Sequence, residues 1–410
     1  MMQAFLKSFA SLRLTLVLLV LSVILVFFGT MAQEPLGLYI AQSRFFQSVF
    51  VDGASMWASI KKTLQMMGVY LPPSTAADVL HARYFPVFPG GYLLGSLLLI
   101  NLIAAHSVRF RFTRKKAGIM LVHSGLILLL LGQFFTEVLA RESAMRLTEG
   151  QTKAYSEADR RSELAIVESL GSDRDRVVAI PDSKLATGAS FQKPELPFRL
   201  RVVRYYPNSM LTNRVAVPNA PPVTDGPGTR FAPLELPRVT AMDMRDVPSA
   251  VVELIGAQGP IGSYLLTEYF ERPQTVTVDG RTFDLSLRLR RIYKDFSLSL
   301  IKFRHDKYKG TEIPKNFSSQ VRLVNPSTGE DREVLIYMNN PLRYQGLTFY
   351  QASFDRLDDR VTILQVVRNP AWLTPYLACV LVGLGLILQF GIHLVAFLRK
   401  PPAPATPAAS

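Results

Sequence analysis

The chain has 410 residues, enough for two or three domains of ~100–200 residues, with 49% apolar residues, 19% charged residues and one cysteine. The lone cysteine excludes a disulfide framework, a CxxC redox centre and a cysteine-built zinc site. A mean hydropathy of +0.19 beside so few charges means that the apolar residues come in blocks, and the net charge of +14 raises a nucleic-acid partner, which its distribution along the chain must decide.

Residues 1–13 are short and basic, with Lys7 and Arg13. Residues 14–33 carry no charge and are long enough to cross a bilayer, which takes ~20 helical residues. They exceed the ~7–15 apolar residues of a cleaved signal, so a retained anchor is expected. Residues 34–84 form a loop in which Tyr39–Phe50 and Met56–Tyr70 mix aromatic and apolar side chains with Arg44, Lys61 and Lys62. Helices lying on a membrane surface and a loop packed on a larger domain are both compatible with that mixture. Residues 85–108 are a second uncharged block, 109–116 a basic turn, 117–136 a third block and 370–398 a fourth, before a Pro/Ala-rich tail, 399–410, expected to be disordered.

Nine basic residues lie in 1–13, 109–116 and 399–410, with no Asp or Glu among them. All 32 acidic residues lie elsewhere, where 37 basic ones leave a surplus of only five. By the positive-inside rule both termini are expected in the cytoplasm, with 34–84 and 137–369 outside it. The basic balance therefore reads as a topology signal, and a nucleic-acid partner drops away.

Residues 137–369 alternate with period two. Phe198, Leu200 and Val202 share one face, as do Phe283, Leu285, Leu287 and Leu289. Val276–Val278 meets the latter run across Asp279-Gly280, a hairpin turn signal. Further strands are expected at Leu164–Glu168, Ala250–Leu254, Tyr264–Tyr269, Phe296–Phe303, Gln320–Val324, Glu333–Met338, Thr348–Ala352 and Val361–Val367. The Pro-rich stretch 206–250 reads as an irregular excursion. The expected fold is a four-span helical membrane protein with a large extracytoplasmic, mostly-β domain of sandwich or open-barrel type.

The β region shows no GxSxG, HExxH or phosphate-cradling loop, its carboxylates are scattered, and His305 stands alone. Ionisable groups inside spans are functional candidates. His106, His123 and His393 each lie near the basic end of a span, the last two roughly 10 Å inside it at ~1.5 Å per residue. Neutral imidazole is a ligand for haem iron. His106 is close enough to the interface to snorkel, and His393 shares a face with Gln389. His123 is too deep to reach water easily. Gly118, Gly125 and Gly132 mark a separate face of the same span suited to close helix packing.

Taken together, these features resemble the ResB family (also called CcsB) of system II cytochrome c biogenesis. The resemblance rests on Leu99-Ile100-Asn101-Leu102, the basic turn, His123-Ser124-Gly125 with Leu131-Gly132, and the segment from Gly310-Thr311-Glu312-Ile313 to Ser319. It rests also on Met338-Asn339-Asn340-Pro341-Leu342, Tyr344-Gln345-Gly346 and Phe349–Phe354 before the last span. It implies a non-autonomous subunit of a haem lyase, which helps to carry haem b across the inner membrane for thioether attachment to the CxxCH motif of apocytochrome c. A CcsA/ResC-type haem-handling partner is implied, with His123 as an axial ligand opposite a partner histidine; His106 and His393, from their place in the spans, are weaker haem-binding candidates. No catalytic residue is assigned. With only Trp57 and Trp372, the partner's tryptophan-rich segment is absent here. Cys379 lies within a span, so apocytochrome thiols need a separate reducing system. A scaffold that binds no haem but stabilises the partner and docks apocytochrome is the alternative.

Overall fold

The computed structural model describes residues 9–70, 86–109, 113–171, 174–239, 244–307, 314–355 and 358–399. The expected disorder of 400–410 and the motif residues Gly310–Ile313 lie outside these. The chain divides into a helical unit, residues 1–140 and 369–410, and a β unit, residues 141–239 and 243–368.

The helical unit contains α1 (Leu12–Met31), α2 (Gly53–Met66), α3 (Gly91–Arg109), α4 (Ala117–Leu139) and α5 (Thr374–Leu398). Among the described residues, α1, α3, α4 and α5 are the helices long and apolar enough to cross a membrane. The second of these begins later than its uncharged block. Pro86–Pro89 is a short strand paired with Phe50–Asp52, because proline cannot open the helix's hydrogen-bond ladder from inside it. The third runs on past Thr136 and takes in Glu137.

The first loop folds onto the spans. Gln33–Leu36 and Leu38–Ala41 are single helical turns, followed by a π-turn, Gln42–Phe46. Ala41, Phe45, Val51 and Met56 are buried in one cluster with Leu18 and Leu25 of α1 and Leu94 of α3. Asp52 caps α2 by accepting from the Ser55 amide at 2.9 Å, satisfying one of the orphan donors of a helix start.

The glycine face on α4 is a packing seam. Gly118, Gly125 and Gly132 are buried, and a Cβ at any of them would fall 2.5–2.9 Å from atoms of α5. On α5, Gly385 answers them: its Cβ would stand 2.7 Å from the Val122 amide nitrogen. A seven-residue repeat holds a seam between two nearly antiparallel helices, and small residues let backbones approach where no hydrophobic force exists between apolar helices in lipid.

In the β unit the strands are β1 (Arg141–Thr148), β2 (Thr152–Ser169), β3 (Asp175–Pro181), β4 (Arg199–Tyr206), β5 (Ser249–Gly256), β6 (Gly259–Thr267) and β7 (Gln274–Val278). They continue with β8 (Arg281–Lys307), β9 (Pro314–Asn325), β10 (Glu330–Tyr337), β11 (Leu342–Tyr344), β12 (Leu347–Phe354) and β13 (Val361–Arg368). Among the described residues every strand pairs antiparallel to its neighbours. The main sheet runs β10-β9-β8-β2-β1-β13-β12-β11, with β7 also on β8 and β3 on β2. Its end strands β10 and β11 are consecutive in the chain and linked by the Tyr337–Asn340 bridge, so the sheet curls into a nearly closed barrel. A second sheet, β6-β5-β4 with Ser190–Phe191, packs as a sandwich layer.

One strand serves both cores. In β8, Phe283, Leu285 and Leu287 fill the sandwich core, whereas Phe296, Leu298 and Leu300 fill the barrel. The buried parity switches from odd to even because the β2–β8 register breaks between Leu289/Arg291 and Tyr293/Leu298. A bulge inserts residues that turn the side chains over. Asp279 and Gly280 both have positive φ, 51° and 73°, as a two-residue type I′ hairpin requires. The stretch 206–250 is less irregular than expected, for Ser209–Asn213 pairs with Phe231–Glu235. The hairpin is built on side chains that do not alternate cleanly, with Pro233 inside it.

Candidate functional site

His106 lies in the last turn of α3 and His123 in the second turn of α4. The two helices are joined by the short basic segment 110–116. Where His123 points is set by the seam: it stands roughly half a turn round the helix from Gly118 and Gly125. With the glycines pressed on α5, the imidazole faces away from that helix and meets α3. The His106 and His123 rings make an edge-to-face contact, with centroids 4.9 Å apart and planes at 76°. Both are half-buried. His106 is thus a neighbour of His123.

His393 is engaged elsewhere. Its Nε2 lies 2.9 Å from Gln389 Nε2. Gln389 also ties α5 to the start of α4: its Oε1 accepts from the Ile119 amide at 3.2 Å, and its Nε2 donates to the Lys115 carbonyl at 3.4 Å. Of the three candidates, His106 and His123 come together and His393 serves the α4–α5 junction. Cys379 is exposed on α5. His305, in the β unit, stacks on Phe317 and abuts Phe354, at centroid distances of 4.7 and 4.2 Å.

The histidine pair can be tested against iron. Two axial imidazoles with metal–nitrogen bonds of about 2 Å place their ring centroids roughly 6 Å apart on opposite sides of the metal. Rings 4.9 Å apart and edge-to-face leave no room for a macrocycle between them. Both cannot ligate the same iron in this arrangement. Among the described residues no group of three or more His, Cys, Asp or Glu is arranged to hold a metal ion.

Asn101, noted in the sequence only as part of a motif, is the polar tie between the first two spans. It is 2% exposed. Its Oδ1 accepts from Thr15 Oγ1 at 2.7 Å, and its Nδ2 donates to the carbonyls of Phe9 and Ser11 at 2.6 and 3.3 Å. A second polar contact lies at the other end of the α3–α4 pair, where Tyr92 Oη donates to Glu137 Oε1 at 2.9 Å. The only sequence signal for it was the carboxylate immediately following an uncharged block.

Residues 261–362, from β6 into β13, match the model of the ResB-like family. The chain carries a ResB-like segment. This bears out the family resemblance drawn from the sequence motifs, several of which are turns inside it. Asn339 of the Asn-Asn-Pro motif has φ 64°, and Gln345-Gly346, with φ 47° and 74°, closes the β11–β12 hairpin. Over 114 residues the chain is 38% identical to Protein NrfI of Wolinella succinogenes, a stretch covering 28% of this chain and 12% of NrfI. A structure titled Cytochrome c Heme Lyase CcmF aligns with 82% of this chain and 39% of its own at 14% identity, but the TM-score of 0.21 establishes no common fold. The chain therefore spans well under half the length of both.

Proposed function

We propose that this protein works in cytochrome c biogenesis as a membrane subunit that holds haem in transit and presents it for thioether attachment to the CxxCH motif of apocytochrome c. The observation that carries the reading is the ResB-like segment, 261–362, lying between two apolar helices of spanning length. The charge pattern supports both termini in the cytoplasm and the β unit on the far side.

In this reading His123 supplies one axial nitrogen to haem iron, and a histidine of a CcsA/ResC-type partner supplies the other. Axial imidazoles set the iron's redox and spin state when haem is bound. The edge-to-face packing of His106 holds the His123 ring in orientation. The glycine seam fixes the rotation of α4 that keeps His123 off α5. The β unit gives the complex its outer surface, and strand edges there suit an extended apocytochrome segment. Residues Asn339–Phe354, a strand-turn-strand, complete the sheet. Cys379, within α5, forms no outward thiol pair, so reduction of apocytochrome thiols falls to a separate system.

A scaffold that binds no haem is the second reading, favoured by the same ring contact, since two packed imidazoles satisfy the helix interface without iron. Maturation of a reporter c-type cytochrome in cells carrying the chain and its CcsA-type partner tests the proposal. Loss of covalent haem attachment without the chain, and in His123→Ala at unchanged partner level, supports haem handling. Full maturation in His123→Ala favours the scaffold, and full maturation without the chain sinks both.

A further inference from the structure

At the end of the α3–α4 pair remote from the histidines, a groove of about 540 Å³ opens between these helices and the π-turn Gln42–Phe46. Two glycines of α3 create it. Gly91 is pressed against the π-turn, where a Cβ would fall 2.2 Å from the Phe46 carbonyl oxygen. One turn further on, a Cβ at Gly95 would meet nothing within 4 Å. The missing side chain is the space.

The lining is graded. Leu99, Leu130 and Phe134 supply apolar walls, while Gln47, Tyr92 and Glu137 gather at the helix ends. Glu137 carries the only formal charge among the described lining residues, none of which is Lys or Arg. Glu137 is exposed and keeps one carboxylate oxygen outside the Tyr92 contact. Its position at the end of an apolar helix is the depth at which lipid headgroups meet the hydrocarbon.

We propose that this groove is a site for a lipid whose headgroup carries a protonated primary amine, of the phosphatidylethanolamine type. The acyl chains lie along Leu99, Leu130 and Phe134. The ammonium donates to Glu137 in a charge-assisted hydrogen bond, and neighbouring glutamine amides donate to the phosphodiester. Among the described lining residues a purely anionic amphiphile meets a carboxylate and no cation, which disfavours it. A choline headgroup has the charge but no N–H to donate. The inference is independent of the haem reading, since it uses neither histidine.

The test is native mass spectrometry of the delipidated full-length chain titrated with phosphatidylethanolamine, phosphatidylcholine and phosphatidylglycerol of identical acyl chains. The expected result is retention of the ethanolamine lipid roughly tenfold more strongly than the others, the worth of one charge-assisted hydrogen bond. Glu137→Gln should erase that preference. Gly95→Leu, which fills the groove without meeting backbone, should remove the bound lipid altogether and keeps the test decisive if the first variant does not fold. Equal retention of the three lipids, a preference for phosphatidylglycerol, or unchanged binding in Gly95→Leu overturns the proposal.

Discussion

Replacing Gly125 by alanine adds a single carbon to the α4–α5 seam. That carbon would stand 2.7 Å from Val382 Cγ2, 2.9 Å from the Ala378 carbonyl oxygen and 3.1 Å from the Val382 amide nitrogen. Two of the three neighbours are backbone, so the strain cannot be relieved by turning a side chain. Overpacking of this kind costs about 1–3 kcal/mol. Alanine also gains about 1 kcal/mol over glycine in helix propensity. Gly383, on α5, separates the two effects, because a Cβ there meets nothing within 4 Å. Gly383→Ala should therefore show the propensity gain alone, and the two variants should differ by about 1–3 kcal/mol. Thermal melts in one detergent, followed by the helical circular dichroism signal, make the comparison. If Gly125→Ala stabilises as much as Gly383→Ala, the seam is not the close contact described and the argument for the rotation of α4 fails.

Three further outcomes follow from single side chains. Asn101→Leu removes the tie between α1 and α3 and should cost about 1 kcal/mol, seen as a lower melting temperature that Asn101→Gln partly restores. Lys294 is pushed down to about 8 by burial, from an ordinary 10.5. The unfolded chain then holds the extra proton between those values, so stability should rise as pH climbs from about 8 to 10.5; Lys294→Met should flatten that rise in urea titrations. Glu168 is held below the usual carboxylate range, first by hydrogen bonds from Arg281 and then by the charges of Arg281 and Arg176. Arg281 Nε and Nη2 donate to its two oxygens at 2.6 and 2.7 Å. Its contribution is present above the unfolded carboxylate pKa and is lost as pH falls through the lower folded value. Glu168→Gln should therefore reduce the acid-side loss of stability, with little change in its slope at neutral pH.

What the sequence made legible was whatever rests on local period. Uncharged blocks mark the four long helices, and alternation finds the strands around Phe198, Phe283 and Phe296, because burial of one face imposes period two. The glycine spacing likewise foretells a seam, since a heptad keeps one side of α4 on its neighbour. Local period could not supply the features that depend on two elements meeting. The parity change within β8 is set by how it registers on β2, so the run appears as two strands and not one. The start of α3 is displaced because Pro86–Pro89 finds a partner in Phe50–Asp52. His106 and His123 are 17 positions apart, with no short-range pattern between them; their contact depends on the rotation of α4, which the glycines fix from the opposite side. Tyr92 and Glu137 meet for the same reason of helix pairing, and no short-range pattern links them.

Haem handling by this chain turns on His123, and the absorption spectrum of the chain purified with its CcsA-type partner tests it most directly. Wild type, His123→Ala and His106→Phe should be compared at equal protein. The expected result is a Soret band with low-spin bis-imidazole features in wild type, lost or shifted in His123→Ala and restored by added imidazole. In His106→Phe, which keeps an edge-to-face ring beside His123, the band should be retained. An unchanged spectrum in His123→Ala would take His123 off the iron and leave the protein as a scaffold beside the partner's own haem.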